Sequence, residues 1–232
     1  MKISFVIPSY NSAAWLAQAV QSVLEQSHKD VEAVVVNDAS TDSTADYLKW
    51  QAAQDSRVKV LTNLTNLGRS ASRNLGNSAA TGDVICVLDA DDLALPNRAK
   101  IVAGKFGNGC EFLYGSAVKI DAVGNSLGEL RADSFNRGKA QEDGYNRIVH
   151  SAVAYTPEFA KRFPYSEGDV ARLGLDDWEQ QTRAYMAGVR FEFVPNVLSC
   201  YRVLQSAITQ TRNEDEVRKF KAAYMEALKA TA

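Results

Sequence analysis

Three carboxylates fall within four residues at Asp89-Ala90-Asp91-Asp92, directly after the apolar run Val84-Ile85-Cys86-Val87-Leu88. That run reads as a strand buried on both faces, so the acids arrive where the strand ends. Like charges at such density repel one another, and the low dielectric beside a core strengthens the repulsion. A bound cation relieves it. Mg²⁺ or Mn²⁺ takes one or two protein carboxylates and completes its shell with phosphate and water. A polar turn leading into a helix N-terminus accounts for the same acids without a metal. Arg69 and Arg73 stand one helical turn apart. They are either solvated or aimed at a diphosphate, which the guanidinium fork suits.

Residues so far apart share a site only if the elements between them converge. Ile3–Ile7 is expected to be a strand, and Trp15, Leu16, Ala19, Val20, Val23 and Leu24 repeat at helical spacing. Strands are expected at 31–36 and 58–61, helices at 43–54 and 69–80, then the strand 84–88 and a helix opening at Pro96. A further strand is expected at 112–120. This order predicts an α/β fold with a mostly parallel sheet between helices, in which ligands bind beyond the carboxyl ends of the strands. Those ends carry Pro8-Ser9-Tyr10-Asn11, Asn37-Asp38, Asn66-Leu67-Gly68-Arg69 and Asp89-Ala90-Asp91. Ser9, Asn11, Asp42 and Ser43 also suit helix caps, whereas Asp38, bordering a very apolar strand, is harder to dismiss as a cap. Residues 121–150 are expected to be loop with at most a short hairpin, followed by a helix at 176–187, a strand at 191–194 and a helix at 214–229. The apolar stripe Val217, Phe220, Tyr224, Met225 and Leu228 on the last helix reads as core packing.

The chain has 232 residues, a formal net charge of −2 and three scattered cysteines. That charge gives no electrostatic case for nucleic acid as partner. An odd cysteine count without metal-ligand spacing fits a reducing cytoplasm. The first strand begins almost at the N-terminus, so no signal peptide is expected, and no apolar stretch reaches bilayer-spanning length. Membrane association is expected to be peripheral at most, at the inner face. His28 reads as a cap or surface residue. His150, before a short apolar run, is a candidate to touch substrate.

In order and spacing these segments resemble the family 2 glycosyltransferases of the GT-A fold. The matching text is Ser4-Phe5-Val6-Ile7-Pro8-Ser9-Tyr10-Asn11, Ser22-Val23-Leu24-Glu25-Gln26-Ser27 and Val34-Val35-Val36-Asn37-Asp38-Ala39-Ser40-Thr41-Asp42. It continues through Asn66-Leu67-Gly68, Ala71-Ser72-Arg73-Asn74 and Gly82-Asp83 to the "DXD" motif Asp89-Ala90-Asp91. Further on come the acidic pair in Asp176-Asp177-Trp178-Glu179, and Tyr201-Arg202 through Ser206-Ala207-Ile208-Thr209.

The resemblance implies one domain over 1–232. Residues 1–120 would bind a nucleotide-sugar donor. Residues 121–232 would meet a glycan or lipid-linked acceptor and end in a helix. Pro8, Ser9 and Tyr10 would border the nucleotide, Asp38 would accept from a uracil or similar base, and Arg69 or Arg73 would lie near base or phosphates. Asp89 and Ala90 would sit at the donor, Asp91 with Asp89 would hold Mg²⁺ or Mn²⁺, and Arg202 would contact the diphosphate. Asp177, or alternatively Asp176, would be the catalytic base of an inverting transfer from a UDP-linked sugar. Asn37 stands where many relatives carry a second Asp, and 121–172 matches nothing in the family text. Absence of spanning segments and of a Gln-x-x-Arg-Trp signature favours one sugar per event. Two other classes compete. A nucleotidyltransferase wants a Gly-rich basic loop, which 8–14 lacks. A sugar-nucleotide-binding module without turnover has no need of both Asp91 and Asp177.

Overall fold

The computed structural model describes residues 1–106, 109–134, 148–205 and 207–231. The strands of the first half are β1 (Ile3–Ser9), β2 (Val31–Asn37), β3 (Val58–Thr62), β4 (Val84–Val87) and β5 (Leu93–Ala94). Those of the second half are β6 (Phe112–Ile120), β7 (Ser126–Leu130), β8 (Val153–Tyr155) and β9 (Phe191–Arg202). They form one sheet ordered β3-β2-β1-β4-β8-β6-β9-β5, with β7 paired to β6. β3, β2, β1 and β4 pair in parallel. The short β8 lies antiparallel to both β4 and β6, so β6 and its parallel neighbour β9 run with the first four. Only β5, β7 and β8 oppose that direction, and the sheet is mostly parallel as expected.

Period-two burial explains the layers. Ile3, Phe5 and Ile7 of β1 face a core shared with α1 (Leu16–Leu24) and α4 (Arg98–Phe106), while Val6 faces the opposite layer. On that side α3 (Arg69–Ala79) lies close, because a Cβ at Gly76 would come within 2.5 Å of Val6 Cγ1. α2 (Thr44–Gln54) joins β2 to β3. Beyond β8 come α5 (Pro157–Arg162), α6 (Asp169–Arg172), α7 (Asp176–Met186), α8 (Ile208–Thr211) and α9 (Glu214–Thr231). Val217 and Met225 of α9 are buried with Trp178 of α7, and Phe220, Tyr224 and Leu228 pack against them. The apolar stripe is therefore core.

Two expectations need correction. The strand expected at 191–194 runs on to Arg202: Pro195 and Asn196 are exposed, and register with β6 shifts after Tyr114 and again after Ser116. A proline at such an irregularity forfeits no ladder bond, so the strand crosses it. α4 opens at Arg98, because Pro96 occupies a turn whose carbonyl accepts from Ser27 N at 2.8 Å. The short apolar run after His150 becomes β8, and β5, α5, α6 and α8 were not foreseen either. Within 121–150 the hairpin is β6–β7, closed by Asp121 N donating to Asn125 O at 2.9 Å. Residues 135–147 of that segment lie outside those described, as does Ser206.

Candidate functional site

Because β1, β2, β3 and β4 run in parallel, their polar C-terminal residues share one rim. Above it opens a cleft of about 1050 Å³, roomy enough for a nucleotide-sized ligand. Every residue nominated from sequence lines it: Pro8, Ser9, Tyr10, Asp38, Arg69, Arg73, Asp89, Ala90, Asp91, Asp176, Asp177 and Arg202. Two non-glycine residues with positive φ occur among the described residues, Asn11 (49°) and Ala39 (58°), one in each of the first two strand-end loops. Such backbone costs about 1 kcal/mol or more and persists where surroundings impose it. Here Asn11 Oδ1 accepts from Thr41 N at 2.8 Å and Asn11 N donates to Ser40 Oγ at 3.0 Å, locking the loops together. Asn11 is thus a cross-loop tie and caps no helix. Asp42 does serve α2, accepting from Thr44 N at 3.0 Å.

Asp38 is buried and organises the loop after β3. Its Oδ1 accepts from Asn63 Nδ2 at 2.7 Å and Leu67 N at 2.9 Å, and its Oδ2 from Gly68 N at 2.8 Å. Gly68, at φ 86°, makes the turn that starts α3 and presents Arg69 and Arg73 to the cleft.

Both arginines converge on one acid. Arg69 Nε donates to Asp176 Oδ1 at 3.0 Å and Arg73 Nη1 to Asp176 Oδ2 at 2.5 Å, while Arg73 Nη2 reaches Asp89 Oδ1 at 2.6 Å. Burial alone would lower Arg73, but the carboxylates of Asp89 and Asp176 outweigh it and raise it. Reciprocally, burial would raise Asp89, and Arg73 holds it below the usual carboxylate range. Asp177, next in the chain and half-buried, accepts only from Trp178 N, through Oδ1 at 2.7 Å, among the bonds of the described residues. The two acids sit in the first turn of α7, where negative charge complements the helix dipole. α9 braces that turn from behind: Tyr224 OH donates to Glu179 Oε1 at 2.5 Å, and its ring meets Trp178 edge-on.

The acidic run forms the turn between β4 and β5, with Asp92 N donating to Asp89 O at 3.0 Å. Burial and the neighbouring Asp89 charge push the Asp91 carboxyl up to about 6. Asp92, buried and repelled by Asp91 and Asp89, is pushed well above its ordinary value. Among the described residues no group of three or more His, Cys, Asp or Glu is arranged to enclose a metal by itself. The all-oxygen pair Asp89 and Asp91, whose mutual repulsion a cation would relieve, fits Mg²⁺ or Mn²⁺ completed by phosphate and water. Arg202 supports this turn. Its N–H donates to Asp92 Oδ1 at 2.7 Å and its Nε to Asp91 O at 2.7 Å. Nη1 reaches Asp121 O and Ala122 O, and Nη2 reaches Gln18 Oε1 at 2.9 Å. Four of its five guanidinium N–H donors are thereby engaged.

Sequence reasoning gave no role to Arg98, Tyr155 or Tyr165. Arg98 is fully buried and donates to Val87 O, Ser151 O and Val153 O, tying the end of β4 to β8. His150 lines the cleft, and its Nε2 lies 3.4 Å from Tyr165 OH. Tyr165 OH is 3.1 Å from Tyr155 OH, which donates to Asn77 Oδ1 at 3.3 Å. Burial and then the Arg73 charge push His150 below its ordinary value. His28 contacts Met1 O at 2.8 Å, far from the rim.

A mostly parallel α/β sheet whose strand ends gather acids and arginines around one cleft carries its candidate site where α/β enzymes carry theirs, beyond the carboxyl ends of the strands. Residues 4–161 match the model of the Glycosyl transferase family 2, and the chain belongs to that family. GlyG of Streptococcus pneumoniae, a glycosyltransferase, is 35% identical over 224 residues, covering 90% of this chain and 73% of its own. An uncharacterized glycosyltransferase of Nostoc sp. is 39% identical over 156 residues, covering 67% of this chain and 48% of its own. The chain spans between 19% and 73% of the length of the curated relatives it matches. Among solved structures, S. aureus TarS in complex with UDP-GlcNAc superimposes with a TM-score of 0.76 at 18% identity, covering 98% of this chain and 66% of that one. The Pyrobaculum calidifontis mannosyltransferase PcManGT, in complex with GDP-Man and Mn²⁺, gives 0.66 at 19%, covering 89% and 58%. The fold is that of the GT-A glycosyltransferases.

Proposed function

We propose that this glycosyltransferase moves one sugar per event from a nucleoside diphosphate sugar, UDP-linked, to an acceptor hydroxyl on a glycan or lipid-linked carrier, with inversion. The carrying observation is that Asp38, Asp89, Asp91, Asp176 and Asp177, spread over 140 positions of chain, line one cleft. Neighbours of the same fold were solved with UDP-GlcNAc and with GDP-Man and Mn²⁺, which supports both donor class and metal. Pro8, Ser9 and Tyr10 border the nucleotide. The base N–H goes to Asp38 Oδ2, which carries a single protein donor. Asp91 and Asp89 would hold Mg²⁺ or Mn²⁺, which when bound would neutralise charge on the diphosphate. Arg69 and Arg73 supply cationic charge to the same diphosphate.

In the reaction the acceptor oxygen bonds to the anomeric carbon as the bond from that carbon to the diphosphate oxygen breaks. The electron pair leaves on the diphosphate, and the hydroxyl proton passes to a carboxylate on the opposite face. Asp177 is that carboxylate. Its Oδ2 accepts no bond among the described residues, whereas both oxygens of Asp176 are held by arginine. The 121–232 half meets the acceptor. No helix among the described residues is long and apolar enough to cross a membrane. We place the enzyme in the cytoplasm, peripheral to the inner membrane face, serving polysaccharide assembly without nucleic acid.

A thermal-shift screen of UDP-, GDP- and dTDP-sugars with and without Mn²⁺ tests this. At least one donor should stabilise the wild type in a Mn²⁺-dependent manner, and Asp91→Ala should abolish that dependence. Absence of any nucleotide shift would overturn the proposal.

A further inference from the structure

The His150 ring is held at one nitrogen and unsatisfied at the other. Nδ1 is buried and has no hydrogen-bond partner among the described residues, although burial should cost such an atom about 1–3 kcal/mol. The contacts on the far side of the ring decide what that atom is. Tyr155 OH donates to Asn77 Oδ1, so its oxygen is free to accept from Tyr165 OH. Tyr165, having donated its only proton, accepts from His150, which places the proton on Nε2. Nδ1 is then a bare lone pair. It can take a hydroxyl but has nothing to give one.

The surroundings say which hydroxyl. His150 lines the same cleft as two groups with proposed tasks, Asp89 at the leaving group and Asp177 as the base. Both carboxylates act electrostatically on its ring. Opposite-face attack puts the reacting sugar between the leaving group and the base. Neither Asp89, bonded to Arg73, nor Asp176, held by both arginines, fills the Nδ1 vacancy.

We propose that His150 is a donor-sugar specificity residue: the Tyr155–Tyr165 relay fixes its Nε2–H tautomer, and Nδ1 accepts a hydrogen bond from a hydroxyl of the transferred sugar. This rests on the proposed transferase function and deepens it. It gives His150, nominated from sequence as a candidate to touch substrate, a stated atom and a stated partner on the transferred sugar.

Two measurements test it. The chain has only two histidines, so ¹⁵N spectra of the free protein resolve both rings. His150 should show Nε2 protonated and Nδ1 bare, and Tyr165→Phe should shift it towards a mixture. A protonated Nδ1 in the wild type overturns the assignment. For binding, calorimetry compares UDP with UDP-GlcNAc and GDP with GDP-mannose. Asn offers an acceptor on the Nδ1 side of the ring, whereas Gln reaches the Nε2 side. His150→Gln should therefore raise the ratio of nucleotide-sugar to bare-nucleotide dissociation constants about three- to tenfold, and His150→Asn should hold it near the wild-type value. An unchanged ratio in His150→Gln overturns the sugar contact while bare-nucleotide binding keeps the transferase reading intact. Failure of the wild type to bind either nucleotide removes that reading and this one with it.

Discussion

Adjacent carboxylates at the start of α7 have opposite circumstances, and their chemistry follows from them. Asp176 is buried, with side-chain exposure of 3%, and both its oxygens are taken by Arg69 and Arg73. It is the sole carboxylate bonded to Arg69 among the described residues and one of two bonded to Arg73, so it is suited to holding α3 against α7. Asp177 is half-buried and its second oxygen is uncommitted. The two isosteric amides should therefore separate structure from catalysis. Asp177→Asn should leave the urea midpoint and donor affinity close to wild type while lowering turnover at least a hundredfold, the usual scale for losing a general base. Asp176→Asn strips the charge from a buried cluster and should cost about 3 kcal/mol in urea unfolding. If Asp177→Asn turns over normally and Asp176→Asn is stable but inactive, the roles are reversed.

Among the elements, β9 contributes most beyond its own packing. By running past Pro195 to the rim it delivers Arg202, whose backbone and guanidinium hold Asp92, the Asp91 carbonyl, the turn at 121–122 and Gln18 of α1. Lysine cannot reproduce a fork that meets several acceptors at once. Arg202→Lys should lower the melting temperature and weaken Mn²⁺-dependent nucleotide binding at least tenfold, with binding in chelator changed less. Equal losses with and without Mn²⁺ would show that Arg202 acts on the ligand rather than on the acidic turn. This role was hidden in the sequence because it depends on a strand read as four residues long. Periodicity revealed β1 to β4 and their helices, whose patterns are local, and with them the rim that carries Pro8 to Tyr10, Asp38 and Asp89 to Asp91, whereas Asp176, Asp177 and Arg202 were named only through the family resemblance. Arg98, Tyr155 and Tyr165 were illegible for the opposite reason. Their roles come from partners distant in the chain, as in the Tyr155–Asn77 bond across 78 positions, and no local pattern marks them.

Across the whole molecule the sheet has two polar ends with different tasks. The carboxyl ends of the strands carry the cleft, while the opposite edge carries one buried acid, Glu32, that fastens three segments. Its carboxylate accepts from Ser4 Oγ and Lys2 Nζ at 2.6 Å each, and from Thr81 N at 2.7 Å and Thr81 Oγ1 at 2.9 Å. Burial alone would raise its pKa, but these hydrogen bonds prevail and bring it down to about 2 from 4.5. The folded state therefore binds the Glu32 proton more weakly than the unfolded chain does. The stabilisation is complete above pH 4.5 and is lost as pH falls towards 2. Urea midpoints of wild type and Glu32→Gln should differ most near pH 7 and converge between pH 4.5 and 2.5, with the wild type falling more steeply. Because Glu32 lies at the edge away from the cleft, Glu32→Gln should leave nucleotide affinity at pH 7 within about twofold of wild type. A constant gap between the two proteins across that range would mean that the network stabilises through packing rather than through the charge it secures.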